Sequence, residues 1–310
     1  MEASEPIIVP KPLIEEQVRF FVENGYLIVP DLATQEEIQE LKEDTAFLAR
    51  GGYPCESLKP LPADFTDEEA LHEILCIHQP HFISPVMLKH VKHPRTCGVL
   101  SQITAAHLPE WDGSVKCMQS MLFVKPPNFQ GQAWHQDEIY IPTRDRSLIG
   151  AWTAIDDATQ ENGCLWVIPG SHRMGYLYPQ HSHNNPDEFD FGQESYGFDD
   201  SSAIPVEVQA GAVVFFNGYL LHRSFKNRSK ADYRRVLVNH YMNAWSLLPW
   251  SLKEGEHVAM ADRRGIVPVA GVDPYAWKGY EKTSDNVWLR TCKATEERKA
   301  ARATAAEPLE

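Results

Sequence analysis

Residues 161–168 read ENGCLWVI, and this stretch decides the fold. Asn162-Gly163 is the strongest hairpin-turn signal in the chain, because both residues tolerate positive φ, and it leads into a branched and aromatic run suited to a pleated surface. Working outward, comparable runs occur at 117–124, 149–155, 165–168, 206–208, 212–216 and 236–242, each bounded by turn chemistry. Gln209-Ala210-Gly211 marks a further reversal. Many short strands joined this way predict a mainly β protein with flanking helices. The expected architecture is a double-stranded β-helix, the cupin-like jelly roll, which can bring residues from distant strands together.

Upstream the period changes. Ile14, Val18, Phe21 and Val22 recur at helical spacing and stop at Asn24-Gly25, a carboxyl-terminal cap signal. A short strand is expected at 26–29, ended by Pro30. Thr34 with Glu37 then forms a capping box opening a second helix through Ile38, Leu41 and Leu48, ending near Gly51-Gly52. From 53 to about 109 the pattern predicts short helices and loops. His72, His78, His81, His90, His93 and His107 read there as solvated or capping residues, since no spacing pairs them as ligands. The expected organisation is one domain over 1–310: a helical part at 14–116, a jelly-roll core at 117–250 and an extension with a tail at 251–310. Within the core, 173–205 is a lid-like insertion, where His181-Ser182-His183 reads as solvated loop. Tyr275, Trp277, Tyr280 and Trp288 predict that the extension packs on the barrel, and the Ala-rich, charged segment 293–310 reads as a solvated helix or disordered tail.

Composition narrows the function classes. The 310 residues are 43% hydrophobic and 23% charged, ordinary globular material, and the net charge is −14. No basic field attracts nucleic acid or an anionic membrane, and steering opposes polyanionic substrates such as nucleotides and coenzyme A thioesters. The six cysteines have neither close pairing nor zinc-ligand spacing, and the amino terminus lacks a basic region with an apolar core. A reducing cytosol is the expected location. No apolar run has the length of a bilayer span, so a small-molecule partner is expected. Oligomeric state is not encoded legibly.

The chemistry-bearing residues start at His135-Gln136-Asp137. A His-x-Asp pair is expected about once by chance in such a chain, so position matters more than the motif. Residues 133–141, AWHQDEIYI, suit a short strand whose alternation points His135 and Asp137 one way and Gln136 the other. His222 lies far later and has to arrive on another strand. Two neutral imidazoles and one carboxylate on one face of a metal leave coordination positions open, which suits Fe(II) chemistry with O2. Arg234-Arg235 offers a guanidinium for an acidic cosubstrate. Alternation does not choose between them, because the faces 234, 236, 238, 240 and 235, 237, 239, 241 are similarly mixed.

Several segments appear in order: Lys125-Pro126-Pro127, Trp134-His135-Gln136-Asp137, Ala151-Trp152-Thr153-Ala154, Glu161-Asn162-Gly163-Cys164-Leu165, Pro169-Gly170-Ser171-His172, His222-Arg223-Ser224 and Arg234-Arg235. Over roughly residues 14–250 the chain resembles the phytanoyl-CoA dioxygenase family. The resemblance implies a double-stranded β-helix dioxygenase that uses Fe(II), 2-oxoglutarate and O2, usually to hydroxylate an unactivated carbon, with release of succinate and CO2. It implies His135, Asp137 and His222 as catalytic metal ligands. It favours Arg234, the first of the pair, as cosubstrate anchor, although the spacing from His222 is one residue longer than is usual in the family. Ser224 is expected to reach the same carboxylate, while Trp152, Met121 and Gln119 are expected in the cosubstrate pocket; each has strand or core packing as its plainer explanation. The further lysine that some relatives use has no identifiable counterpart.

Two other functions are compatible with such a fold. Iron halogenation needs a ligand position freed for chloride, which Asp137 opposes. A cupin-like metal- or sugar-binding protein without oxygenase activity is separated by testing for iron-dependent decarboxylation of 2-oxoglutarate. The expected substrate is a small metabolite, lipid-like or amino-acid-derived; hydroxylation, desaturation and cyclisation are decided by how it is placed.

Overall fold

The computed structural model describes residues 5–190, 192–248, 265–281 and 287–291. The segment 293–310, expected as a tail, lies outside the described residues.

The first elements form as their caps dictate. α1 (Glu15–Asn24) ends where Gly25 takes φ 78°, and β1 (Tyr26–Val29) follows at once. α2 (Gln35–Ala49) opens on a reciprocal capping box: the Glu37 N–H donates to Thr34 Oγ1 at 3.2 Å and the Thr34 N–H to the Glu37 carboxylate at 2.8 Å.

Between 53 and 116 the structure corrects the expected helices and loops. α3 (Asp67–His72) is followed by β2 (Ile74–His78), a strand buried along its whole length, before α4 (Pro85–Val91) and α5 (Pro94–Ile103). An apolar run buried on both faces carries no alternation, so it reads like a piece of buried helix. The histidines there also depart from expectation, since His78, His81, His90 and His93 are all buried. Only His93 caps a helix, accepting from the Thr96 N–H at 3.3 Å.

The remaining strands run in order: β3 (Val115–Lys125), β4 (Gln132–His135), β5 (Ile149–Ala154), β6 (Leu165–Val167), β7 (Gln180–Ser182) and β8 (Gln193–Ser195). Then come β9 (Ile204–Val206), β10 (Val213–Asn217), β11 (His222–Ser224), β12 (Arg234–Asn243), β13 (Val267–Ala270) and β14 (Trp288–Thr291). The major sheet has the order β1-β10-β5-β12-β3-β2-β14 with β13 beside β3, and the minor sheet β4-β11-β6-β9. This is the expected jelly roll. Strands from the amino-terminal part and from the extension are built into the major sheet, so the boundaries drawn at 116 and 251 cut through it. The insertion 173–205 contains the β7–β8 hairpin.

Asn162-Gly163 turns the chain without making a two-residue hairpin. β5 and β6 belong to different sheets, and β6 pairs with β11 and β9. The reason is local: Asn162 Oδ1 accepts from the Thr159 N–H at 2.9 Å and its Nδ2 donates to the Asp157 carbonyl at 2.8 Å, closing a longer loop. Glycine is needed next, at φ 82°, because a Cβ there would lie 2.4 Å from the Phe225 carbonyl oxygen.

Alternation along the major sheet separates a helix-covered face from a cavity face. On β10, Val213 and Phe215 pack with Phe21 of α1 and Leu100 and Ile103 of α5. Val214 and Phe216 turn the other way, toward Leu165, Val167 and Val206 of the minor sheet. On β12, Leu237 joins Ile38 and Leu41 of α2, while Val236 and Val238 face the minor sheet. No helix among the described residues is long and apolar enough to cross a membrane.

Candidate active site

β4 and β11 are antiparallel neighbours whose register sets His135 opposite His222, with ring centroids 4.1 Å apart. Each ring is oriented from behind. His135 Nδ1 donates to the Ala133 carbonyl at 2.8 Å and His222 Nδ1 to the Leu220 carbonyl at 3.0 Å. Because a carbonyl only accepts, both Nδ1 atoms carry a proton, and in the neutral ring that leaves the Nε2 lone pair available.

Asp137 is not on a strand, as alternation had it. β4 stops at His135, and Asp137 opens a 3-10 turn reaching Ile139. Gln136 stays extended, at φ −126° and ψ 126°, so the alternation survives one residue past the last ladder bond and delivers the carboxylate to the His135 side. Asp137 Oδ1 lies 3.7 Å from Nε2 of His135 and 3.7 Å from Nε2 of His222. One donor atom from each of the three residues lies within 4.8 Å of the others. Gln136 faces away as expected, donating to the Tyr219 carbonyl at 2.7 Å and accepting from the Tyr178 N–H at 2.8 Å.

Asp137 and His222 are electrostatically in their ligand forms. Burial by itself raises the Asp137 carboxyl, but His222, the hydrogen bond from His240 and His135 outweigh it and hold the group well below the usual carboxylate range. Burial lowers His222 to about 4, so its imidazole is neutral at pH 7.

These groups open on a cavity of about 470 Å³ between the sheets, which Arg234, Ser224, Trp152, Met121 and Gln119 also line. The structure therefore brings every singled-out residue to one place. It also separates the two arginines. Arg235 faces outward and binds Asp156 through two hydrogen bonds of 2.7 Å, from Nε and from Nη2. Arg234 faces inward and is only 4% exposed. Its Cζ stands 5.6 Å from the Trp152 ring, and its Nε is buried without a partner. Burial lowers its pKa to about 10, which leaves it a cation at neutral pH. Ser224 Oγ lies 3.2 Å from Lys125 Nζ and 3.3 Å from the Gln132 N–H, both donors, so its own proton is free to donate.

Sequence reasoning missed four features in and behind this cavity. Lys125 stands behind Ser224: its buried amine donates to the Phe225 carbonyl at 2.6 Å, and buried lysines have no pattern to betray them. His240, which holds Asp137, shares the alternating face of Arg234, a signal that was present but mixed. His78, expected to be solvated, stacks instead on Trp288 of the extension at 3.6 Å and 9°. Asp190 and Arg290 pair at 2.9 Å on the cavity wall, one residue from the insertion and one from the extension.

The donor set fits a ferrous ion: imidazole nitrogens with their protons turned away, and one carboxylate. Arg234 makes no hydrogen bond among the described residues, and this buried, partnerless guanidinium fits the distal carboxylate of 2-oxoglutarate. Fold and donor set together define the class, an Fe(II)- and 2-oxoglutarate-dependent oxygenase of jelly-roll architecture. The model of the phytanoyl-CoA dioxygenase (PhyH) family matches residues 21–236, and the chain belongs to that family.

Relatives and folds agree. Phytanoyl-CoA dioxygenase 1 of Oryza sativa subsp. japonica is 29% identical over 265 residues, covering 77% of this chain and 93% of that protein. The peroxisomal phytanoyl-CoA dioxygenase of Rattus norvegicus is 28% identical over 256 residues, covering 73% and 67%. Among solved structures, the non-heme alpha ketoglutarate dependent carbocyclase SnoK from nogalamycin biosynthesis has a TM-score of 0.57 at 21% identity, covering 92% of this chain and 99% of that one. EvdO2 from Micromonospora carbonacea var. aurantiaca, complexed with 2-oxoglutarate, has a TM-score of 0.56 at 22% identity, covering 80% and 97%.

Proposed function

We propose that His135, Asp137 and His222 hold Fe(II), that Arg234 with Ser224 binds the distal carboxylate of 2-oxoglutarate, and that the enzyme hydroxylates a small neutral metabolite. The observation that carries this reading is Arg234: a buried guanidinium without an acceptor among the described residues, in the cavity onto which the His-Asp-His cluster opens. Bound there, ferrous iron supplies oxygen activation coupled to decarboxylation of 2-oxoglutarate to succinate and CO2.

The chain's own residues do the rest. Ala133 and Leu220 carbonyls keep the Nδ1 protons of His135 and His222 away from the metal side. His240 donates to Asp137 Oδ2 at 3.0 Å, leaving Oδ1 toward the imidazoles. Arg234 supplies a planar fork and Ser224 a hydroxyl proton to the same carboxylate, fixing how the cosubstrate lies. Trp152 lies beside that fork, and Met121 and Gln119 line the slot and exclude water.

Support for a neutral substrate comes from the remaining wall. His78 and Trp288 offer aromatic surface, and Arg290, the other arginine there, is neutralised by Asp190, so among the described residues of that wall no free cation awaits a coenzyme A phosphate. What supports one catalytic unit is the sharing of the major sheet by strands from all three parts of the chain. A reducing cytosol accords with free cysteines at 55, 76, 97, 117 and 164.

The test is anaerobic addition of Fe(II) and 2-oxoglutarate, followed by charge-transfer absorbance, then oxygen exposure and succinate detection. A band that requires Asp137 and Arg234, with succinate formed, is the expected result. No band and no succinate from the wild type would leave a binding protein instead.

A further inference from the structure

A second cavity, of about 240 Å³, lies against the turn between β10 and β11 and shares no residue with the first. Arg146, Arg173, Asn217 and Tyr219 line it, with Phe21 and Ile103 as an apolar wall. These residues come from separate parts of the chain. No carboxylate lines the cavity.

The two arginines differ from most of the described arginines, which are ion-paired. Arg50, Arg95, Arg223, Arg228, Arg235 and Arg290 each meet a carboxylate. Arg146 and Arg173 have neither an ion pair nor a hydrogen bond among the described residues, in a chain of net charge −14. Both guanidiniums lie over glycines. A Cβ at Gly175 would lie 1.8 Å from Arg146 Nη1, and one at Gly170 would lie 2.5 Å from Arg173 Nη2. Arg146 itself holds φ 58°, a left-handed conformation disfavoured for a long side chain.

Neutral donors complete the lining. Asn217 is 9% exposed and its Oδ1 accepts from the Tyr219 N–H at 2.9 Å, which fixes the amide so that Nδ2 is the free donor. Neither that Nδ2 nor the Tyr219 hydroxyl has a hydrogen-bond partner among the described residues. A pocket with two uncompensated guanidiniums, free neutral donors and no acid selects an anion.

We propose that this cavity binds a small organic anion, a carboxylate or phosphate head held by Arg146, Arg173 and Asn217, with a short apolar body against Phe21 and Ile103. The site is separate from that of 2-oxoglutarate. The turn it touches runs on to His222, and the Leu221 N–H is held by Ser171 Oγ at 2.9 Å, so the ligand sits beside the segment that delivers a candidate iron ligand.

The test is calorimetric titration of the full chain at low salt with phenyl phosphate, benzoate and inorganic phosphate. The proteins compared are the wild type, an Arg146→Ala/Arg173→Ala double variant and Arg234→Ala. The expected result is one saturable site in wild type and Arg234→Ala, weakened by salt, and weaker by about tenfold or more in the double variant. Tighter phenyl phosphate than benzoate assigns the head group as phosphate, the reverse as carboxylate; either supports the site. Both arginines are exposed, so the double variant is expected to keep wild-type 2-oxoglutarate binding. Three results each overturn the proposal: no saturable binding to wild type, probe binding lost in Arg234→Ala but kept in the double variant, or loss of 2-oxoglutarate binding along with the probe in the double variant.

Discussion

Nε2 of His240 lies 3.0 Å from Oδ2 of Asp137, while Oδ1 of the same carboxylate lies 3.7 Å from both His135 and His222. One oxygen is thus tied to the sheet and the other is left toward the two imidazoles. Groups that orient a ligand in this way commonly tune affinity nearly as strongly as the ligands themselves.

His240→Phe is therefore expected to weaken Fe(II) binding by about 10- to 100-fold without removing a ligand. Anaerobic metal titration measures it. An affinity equal to wild type would remove His240 from the account.

The two arginines are expected to separate cleanly. Arg234→Ala should raise the 2-oxoglutarate Kd by about 10- to 150-fold, since charge-assisted bonds contribute roughly 1.5–3 kcal/mol. Arg235→Ala should leave that Kd within about twofold and lower unfolding free energy by about 1–3 kcal/mol, because Asp156 loses its bidentate partner. Charge-transfer titration and urea denaturation of both variants decide it. Reversed phenotypes would mean that the wrong guanidinium has been assigned.

Ser224→Ala removes a hydroxyl proton that has no acceptor among the described residues, in the cavity that Arg234 also lines. A rise of about 2- to 12-fold in the 2-oxoglutarate Kd is expected from a neutral hydrogen bond, with Fe(II) affinity unchanged. Equal weakening of both would mark Ser224 as structural.

Leu237, wholly buried against Ile38 and Leu41, couples the amino-terminal helices to the sheet. Leu237→Ala should cost about 2–5 kcal/mol in urea unfolding, with the ferrous and 2-oxoglutarate sites intact in the folded fraction. A loss below about 1 kcal/mol would mean that these helices add little.

Much of this was written locally in the chain. The Asn24-Gly25 cap, the Thr34 and Glu37 capping box and the strands around 149–154 and 236–242 follow from period and turn chemistry, which act over a few residues. His135, Asp137 and His222 were identified by residue type and by an ordered string, and their meeting in space required only that the β region close. The sequence could not choose between Arg234 and Arg235, because both faces of that strand are apolar and polar alike. The choice was made by what covers each face: helices and Asp156 on one side, the cavity on the other. Nor could it place β2, buried on both sides, or reveal that His78 and His240 line the cavity and that Lys125 backs Ser224 on its wall. Local pattern determines the elements and the ligand types. Which buried polar groups find partners, and which are left to receive a ligand, depends on contacts between residues a hundred or so apart, and those exist only once the two sheets have closed.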